Sequence, residues 1–164
     1  MFSKSFELDD WAQIETLMGN LYKHLNIVIA EDDEDDYLLI VETLKKVENI
    51  GFIHWAKDGE ELLKFLESCE ESENPSEKKP SLIILDLNMP KKDGRETLSE
   101  IKNHPTRKTI PVIILTTSQA ETDISQAYKL GANSFIQKPF KYQDFKVTMQ
   151  VLQNYWLNIV KLPT

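Results

Sequence analysis

Short apolar runs alternate with helical patterns along this chain, and that alternation constrains its fold more than any other feature. Four runs are rich in β-branched residues and too short to be helices; they occupy residues 25–30, 81–85, 111–115 and 134–136. A fifth run, 51–56, is weaker but aromatic and similarly placed. None alternates cleanly between apolar and polar positions, so both faces of each predicted strand should be covered.

Segments with helical spacing separate the predicted strands. Apolar residues recur every three or four positions after each of the first four strands, and a last pattern runs from about 141 to 160. The residues that show the spacing in the first four segments are Leu38, Val41, Leu44, Val47, Leu62, Leu63, Phe65, Leu66, Leu98, Ile101, Ile124, Ala127, Tyr128 and Leu130. Five strand–helix repeats predict an α/β fold with a doubly wound, five-stranded parallel sheet. The charged segment 70–79, which contains Pro75, is predicted to be an extended surface loop.

Composition narrows the classes of function. A net charge of −8 over 164 residues argues against a nucleic-acid-binding module, which normally carries a basic patch. No apolar run approaches the roughly 20 residues that a membrane-spanning helix needs, and the start lacks the pattern of a secretory signal. Cys69 is the single cysteine, so an internal disulfide is excluded and a cytoplasmic location is expected.

Residues 1–24 lie outside the alternating pattern and form a predicted N-terminal extension, which leaves 25–164 as the domain. An apolar stripe at helical spacing, preceded by Asp9 and Asp10 as candidate caps, predicts a helix in the extension. The stripe consists of Trp11, Ile14, Leu17, Met18, Leu21 and Leu25. Three alternatives stay open for this segment: packing on the domain's own surface, contact with a second copy or a partner, and an over-extended start in a chain that begins near Met18.

Acidic residues fall where predicted strands end. The first strand runs into Glu31 and Asp32, and the third ends at Asp86. In an open α/β sheet, ligands bind at the carboxyl ends of the strands, near the point where strand order reverses. Carboxylates from neighbouring strand ends repel one another unless a cation lies between them, and Mg²⁺ suits an open site with oxygen ligands. The sequence therefore predicts a magnesium site at this edge.

Asp86 differs from ordinary loop acids because it follows an apolar run directly, without a turn signal. A carboxylate at the end of a core strand needs a partner. Thr116, at the end of the fourth predicted strand, and Lys138, at the end of the fifth, are the candidates. An acidic pair, a carboxylate nucleophile, a hydroxyl and a lysine suit the formation of an aspartyl phosphate. The next acids along the chain are instead expected to be solvated loop residues: Asp33, Glu34 and Asp35.

Other sites known on this architecture fit less well. A dinucleotide site needs a G-x-G-x-x-G turn after the first strand, where this chain carries acids that would repel a phosphate. A flavin mononucleotide site would favour hydroxyl and glycine residues in the same turn. A haloacid-dehalogenase-type phosphatase has a second aspartate two residues after its nucleophile, where this chain has Asn88.

From 25 to about 150 the sequence resembles the receiver domains of two-component response regulators, which have the CheY-like (βα)5 fold related to flavodoxin. The residues that carry the resemblance are Glu31-Asp32, Asp86, Met89-Pro90, Asp93-Gly94, Thr116 and Lys138-Pro139-Phe140. The resemblance implies a Mg²⁺ site that also accepts Mn²⁺, with Asp32 as a direct ligand and Glu31 acting through water. It also implies a further ligand from the Asn88 backbone carbonyl, and a Lys138–Pro139 peptide bond in the cis form.

The resemblance further implies that Asp86 accepts a phosphoryl group from a histidine kinase. Thr116 would then turn toward the phosphoryl group, and Phe135 would fill the vacated space, so the face of the fourth helix, fifth strand and fifth helix repacks. Phe135 stands where tyrosine is common, so a partner that reads a hydroxyl there is excluded. Asn88 and Ser118 either tune the lifetime of the phosphoryl group or are ordinary polar loop residues. The loop cations are expected to be solvated rather than ligands: Lys91 and Lys92.

Finer features are similar to regulators that are paired with bacterial phytochromes and consist largely of single receiver domains. These features are the runs 86–95 and 115–118 and a last helix that contains Trp156. They imply a phytochrome-type kinase as the candidate partner. The receiver resemblance also implies a downstream protein that the sequence does not identify, and the apolar end of the last helix favours a homodimer. The protein would then be a phosphoacceptor, not an enzyme acting on a separate substrate. A pseudo-receiver, an interaction module that is never phosphorylated, is the alternative.

Overall fold

Five parallel strands form one sheet in a computed structural model that describes residues 24–163. The strands are β1 (Leu25–Ala30), β2 (Ile50–Ala56), β3 (Leu82–Leu85), β4 (Val112–Thr116) and β5 (Ser134–Gln137). They are ordered β2-β1-β3-β4-β5, so the order reverses on the two sides of β1. The predicted doubly wound parallel sheet is confirmed, and the carboxyl ends of β1 and β3 lie side by side at its switch point.

A helix follows every strand. The helices are α1 (Glu34–Leu44), α2 (Gly59–Glu70), α3 (Gly94–Asn103), α4 (Glu121–Leu130) and α5 (Tyr142–Gln153). The carboxylates of Asp33, Asp58 and Asp93 accept hydrogen bonds from backbone N–H groups in the first turns of α1, α2 and α3. These bonds fix where each helix begins, next to the carboxyl end of the preceding strand.

Successive side chains of each strand point to opposite faces of the sheet and so form two separate hydrophobic cores, one on each face. Odd-numbered residues of β1 and even-numbered residues of β3 pack against α1, α5 and the segment after α5. Residues of the opposite parity pack against α2, α3 and α4. The second core also takes the partly buried ring of Phe135 in β5. Both faces of the sheet are therefore covered, which explains why no strand alternates cleanly between apolar and polar residues.

One segment differs from its prediction, and the long last helix is confirmed with one irregular part. The predicted loop 70–79 contains a helical turn, Pro75–Lys78, because proline has a φ suited to the first position of a helix. The predicted long last helix is present, but its regular α-helical part ends at Gln153 and a π-helical segment, Asn154–Ile159, continues it. Buried Trp156 and Leu157 attach this segment to the first core.

The predicted helix in the extension lies outside the described residues, except that Leu25 belongs to β1. Among residues 24–163, no helix combines the length and the apolar character that a membrane span requires.

Candidate functional site

The strands bring the predicted acids, hydroxyl and lysine to one edge of the sheet. Backbone hydrogen bonds continue past the strand ends and fix these residues in place: Asp86 N–H donates to the Ala30 carbonyl at 3.0 Å, and Lys138 N–H donates to the Thr116 carbonyl at 2.7 Å. The side chains of Glu31, Asp86, Thr116 and Lys138 are buried. The site is therefore an extension of the core and not an ordinary surface loop.

The Lys138 ammonium lies at the centre of the site. Its Nζ donates to Glu31 Oε2 at 2.5 Å, to Asp86 Oδ2 at 2.8 Å and to Asp36 Oδ2 at 2.9 Å. A lysine has three N–H donors, so these three carboxylates use all of them. The Lys138, Glu31 and Asp86 side chains are only 4%, 2% and 5% exposed. Their charges are therefore stabilised by one another and not by solvation.

The group carries more negative than positive charge. Burial raises the pKa of Glu31 to about 7, because the favourable charge and hydrogen bond of Lys138 offset only part of the cost of burying the carboxylate, and the nearby Asp86 charge adds a smaller rise. Burial alone would lower the pKa of Lys138, but the Glu31 and Asp86 carboxylates outweigh it and hold that pKa above its usual range. Lys138 therefore stays charged at neutral pH, while Glu31 takes up a proton near neutral pH when no other cation is present.

This charge imbalance predicts that the metal-free protein loses stability as pH rises. The folded-state pKa of Glu31, about 7, exceeds its ordinary value of 4.5, so the folded state binds more protons than the unfolded state between these values. The contribution is present below pH 4.5 and is lost as pH rises through 7, a change of about 3 kcal/mol in the free energy of unfolding. Denaturant titrations with chelator at pH 5 and pH 8 measure it. Glu31→Gln should show a much smaller difference between the two pH values, and equal differences in both proteins would contradict the prediction.

The loop after β3 connects Asp86 to Thr116. The Asn88 backbone N–H donates to Asp86 Oδ1 at 3.0 Å, so both Asp86 carboxylate oxygens accept hydrogen bonds. The Asn88 amide lies 3.5 Å from the Thr116 hydroxyl and 3.5 Å from the Thr117 hydroxyl. The Ser118 N–H donates to the Thr116 hydroxyl at 3.4 Å. Thr116 is thus held by long, weak hydrogen bonds, which oppose rotation of its side chain only weakly.

The acids fit a divalent cation. Single carboxylate oxygens from Glu31, Asp32 and Asp86 lie within 4.8 Å of one another, and Asp32 is exposed, so one side of the cluster opens to water. Hard oxygen ligands from few residues, with room for water, are what Mg²⁺ prefers, and Mn²⁺ accepts similar ligands. The surplus negative charge around Lys138 favours a cation at the same place.

Three features of the site are not apparent from the sequence pattern. Asp36 in the first turn of α1 contacts Lys138, and only helical geometry, which turns that residue back toward the strand ends, could have indicated it. Asp58 pairs with Lys91 at 2.6 Å, so that lysine is bound to an acid although its side chain is 58% exposed. Lys91 has a positive φ of 58°, a conformation unusual for a non-glycine residue.

The third of these features is an ion-paired network beside Thr116. Arg95 in α3 donates to both carboxylate oxygens of Asp123 in α4, at 2.9 and 2.5 Å, and also pairs with Asp93. The Ser118 hydroxyl donates to Asp123 at 2.5 Å. The network therefore ties the loop after Thr116 to α3 and α4, and its partners lie too far apart in the chain for spacing to reveal.

Two other expectations can be compared with the structure. Phe135 is half-buried, and its backbone N–H donates to the Tyr128 hydroxyl at 3.1 Å. The Lys138–Pro139 peptide bond is trans, as are all peptide bonds in the part of the chain that the structure describes, so the expected cis form is wrong here.

Known proteins are similar to this chain over most of its length. A family model described as "Response regulator receiver domain" matches residues 27–150. The response regulator Rcp1 of Synechocystis sp. is 40% identical over 137 residues, which are 84% of this chain and 92% of that protein. The crystal structure of Mn²⁺-bound Rcp1 is 38% identical, with a TM-score of 0.78, and the match covers 85% of this chain and 99% of Rcp1. The phosphorylated cyanobacterial phytochrome response regulator RcpA is 38% identical, with a TM-score of 0.79 and coverage of 86% and 99%.

Proposed function

We propose that this chain, which belongs to the response regulator receiver family, accepts a phosphoryl group on Asp86 from a histidine kinase and signals by changing its docking surface. One observation carries the proposal: a buried ammonium, that of Lys138, contacts Asp86 and Glu31 at the edge where Asp32 and Thr116 also lie. A structural ion pair needs one carboxylate for one ammonium. A surplus of buried carboxylates around a single lysine is costly to folding and supports a role in chemistry.

The chemistry assigned to each residue follows from its position. A carboxylate oxygen of Asp86 attacks the phosphorus of the donor phosphohistidine, a P–O bond forms as the P–N bond breaks, and the electron pair leaves on the imidazole nitrogen. Lys138, already next to Asp86 Oδ2, offsets charge on the phosphoryl oxygens. Thr116 donates its hydroxyl to one of these oxygens after turning from its present weak bonds.

Glu31, Asp32, Asp86 and the Asn88 backbone carbonyl would hold Mg²⁺, or Mn²⁺ in its place. When bound, the ion neutralises charge on the transferred group and orients it toward Asp86. The Mn²⁺ found in Rcp1 supports the same ion class for this chain.

The signal would pass through the face formed by α4, β5 and α5. Turning of Thr116 toward the phosphoryl group leaves space that the half-buried Phe135 can occupy, and this favours one of two packings of the face. Val147, Val151, Tyr155 and Ile159 form an exposed apolar stripe on α5 and the segment after it, which we call the α5 stripe. A second copy of the chain that covers the α5 stripe would form the proposed homodimer.

The candidate kinase is of the phytochrome type, because RcpA is a phytochrome response regulator and the bacteriophytochrome response regulator AtBRR is 32% identical, with a TM-score of 0.60. Histidine kinases of this type transfer the group to an aspartate, so the chain acts as a phosphoacceptor and not on a separate substrate. The reduced, buried Cys69 is consistent with the proposed cytoplasmic location.

Mass spectrometry of the intact protein tests the phosphorylation. Incubation with acetyl phosphate and Mg²⁺ is expected to add about 80 Da, the mass of one phosphoryl group in place of hydrogen. The matched variant Asp86→Asn keeps the shape of the side chain but lacks the nucleophilic oxygen pair, so it should gain nothing. A wild-type protein that gains no mass with Mg²⁺ or Mn²⁺ would instead be a pseudo-receiver, and mass gained equally by Asp86→Asn would place the acceptor elsewhere.

A further inference from the structure

Trp55 in β2 contacts the backbone of a proposed metal-site residue. Its indole Nε1–H donates to the Glu31 carbonyl at 2.7 Å, and the Glu31 N–H donates to the carbonyl of Ala56 at 3.0 Å. The last two residues of β2 therefore hold Glu31 by both its carbonyl and its N–H. The indole bond differs from a strand hydrogen bond because a side chain supplies it, so its loss need not disturb the sheet.

The same indole ring packs on the first turn of α1. The ring of Tyr37 stacks on Trp55 with centroids 4.1 Å apart and planes only 5° apart. The Lys57 ammonium lies 4.6 Å from the centroid of the indole ring. Tyr37 directly follows Asp36, whose carboxylate bonds Lys138. Trp55 thus contacts both sides of the loop 31–33 between β1 and α1, which we call the acidic loop: it bonds Glu31 at the start of the loop and stacks on Tyr37 in the first turn of α1.

The other restraint from outside this segment is Lys138, which holds the side chains of Glu31 and Asp36 but not the backbone between them. Residues 31–36 are all acidic, and 32–35 are exposed, so their side chains add repulsion and almost no packing. Asp33 caps α1, and its N–H donates to Glu31 Oε1 at 3.2 Å, but both bonds lie within the loop itself. The indole adds a restraint on the backbone of Glu31, next to Asp32, and this favours a position of Asp32 near Asp86 when no cation is bound.

We infer that Trp55 and Tyr37 are positioning residues of the metal site, which clamp the acidic loop so that Glu31 and Asp32 are preorganised for a divalent cation. The inference rests on the proposed function, since it concerns the metal that phosphoryl transfer uses. Neither aromatic residue touches the reacting atoms. A preorganised loop binds the cation more tightly because less ordering is required at the moment of binding.

Two variants separate the parts of the clamp. Trp55→Phe keeps an aromatic ring for Tyr37 but removes the indole donor, whereas Tyr37→Leu keeps the donor but removes the stack. The control, Phe52→Leu, lies on the same strand, and its ring contacts Phe65 edge-on, away from the site. Mg²⁺ affinity is measured calorimetrically on each folded protein, and amide hydrogen exchange at residues 32 and 33 is measured with chelator.

Trp55→Phe is expected to bind Mg²⁺ roughly 2- to 12-fold more weakly, which corresponds to one ordinary hydrogen bond. Its amides at 32 and 33 should exchange faster than those of the wild type in the absence of metal. Tyr37→Leu should shift both readouts in the same direction, and Phe52→Leu should leave both unchanged. Wild-type affinity and exchange in Trp55→Phe, or equal changes in Phe52→Leu, would overturn the inference. Failure of the proposed function is distinguishable, because a wild type that binds no Mg²⁺ still gives the exchange comparison in metal-free protein.

Discussion

Lys138→Met is expected to lower the free energy of unfolding of the metal-free protein by about 3–5 kcal/mol at pH 8, the usual cost of removing one partner from a buried ion pair. The reason is that the Glu31, Asp36 and Asp86 carboxylates all accept hydrogen bonds from the Lys138 ammonium, and the substitution removes this shared positive charge. Methionine keeps much of the volume of the side chain, so the loss reports charge more than packing. Urea titration with chelator measures the change.

The effect should depend on conditions in a way that identifies its cause. Lowering the pH to 5 allows Glu31 to take up a proton, and adding Mg²⁺ supplies another positive charge, so each should recover part of the lost stability in Lys138→Met. Lys146→Met is the matched control, because that ammonium lies 3.9 Å from Glu42 on the surface, and its removal should change stability by no more than about 0.5 kcal/mol. Similar losses in the two variants, or no recovery with Mg²⁺, would contradict the electrostatic explanation.

Gly94→Ala is expected to lower the free energy of unfolding by about 1–3 kcal/mol and to slow phosphorylation of Asp86. A Cβ at Gly94 would lie 2.1 Å from the Asp86 carbonyl oxygen and 2.7 Å from the Leu87 Cα, and both are backbone atoms that cannot rotate away. The Gly94 N–H also donates to the Leu87 carbonyl at 2.9 Å, so α3 begins directly against the acceptor loop. Alanine favours helix by about 1 kcal/mol over glycine, but the overlap is large enough to outweigh that gain.

Thermal unfolding and the rate of mass gain with acetyl phosphate measure the two effects of Gly94→Ala. Glu96→Ala, an exposed position in the same helix, controls for changes in helix propensity and should behave like the wild type. A Gly94→Ala protein with wild-type stability and rate would show that the loop after β3 can move away from α3 without disturbing Asp86.

The fold was predictable because each strand and helix is indicated by residues that lie close together in the chain. Each strand is a short apolar run, and each of the first three helices begins at an aspartate that follows such a run. The parallel order then requires that residues after the strands meet at one edge, which is how Glu31, Asp86, Thr116 and Lys138 were assigned to a single site. The contact of Lys138 with Asp86, 52 residues earlier, follows from topology and not from any nearby motif.

The features that were missed depend on geometry that the sequence pattern does not contain. Asp36 was one of several acids in a run, and only the direction of the first turn of α1 distinguishes it from its neighbours. The pairing of Arg95 with Asp123 spans 28 residues and joins two helices whose relative position is set by packing. The stack of Trp55 on Tyr37 likewise needs the register of β2 beside β1, which a run of aromatic residues alone does not determine.

The division of the interior into two cores has a consequence for how such a chain can change over generations. Because the sheet separates them, a substitution on the side of α1 and α5 seldom touches one on the side of α2, α3 and α4, and their energetic effects should add. Each core can therefore accumulate substitutions independently of the other. The helix surfaces that cover the two cores can likewise acquire new binding specificities independently. The residues at the carboxyl ends of the strands lie next to both cores. We therefore expect substitutions at that edge to be tolerated least.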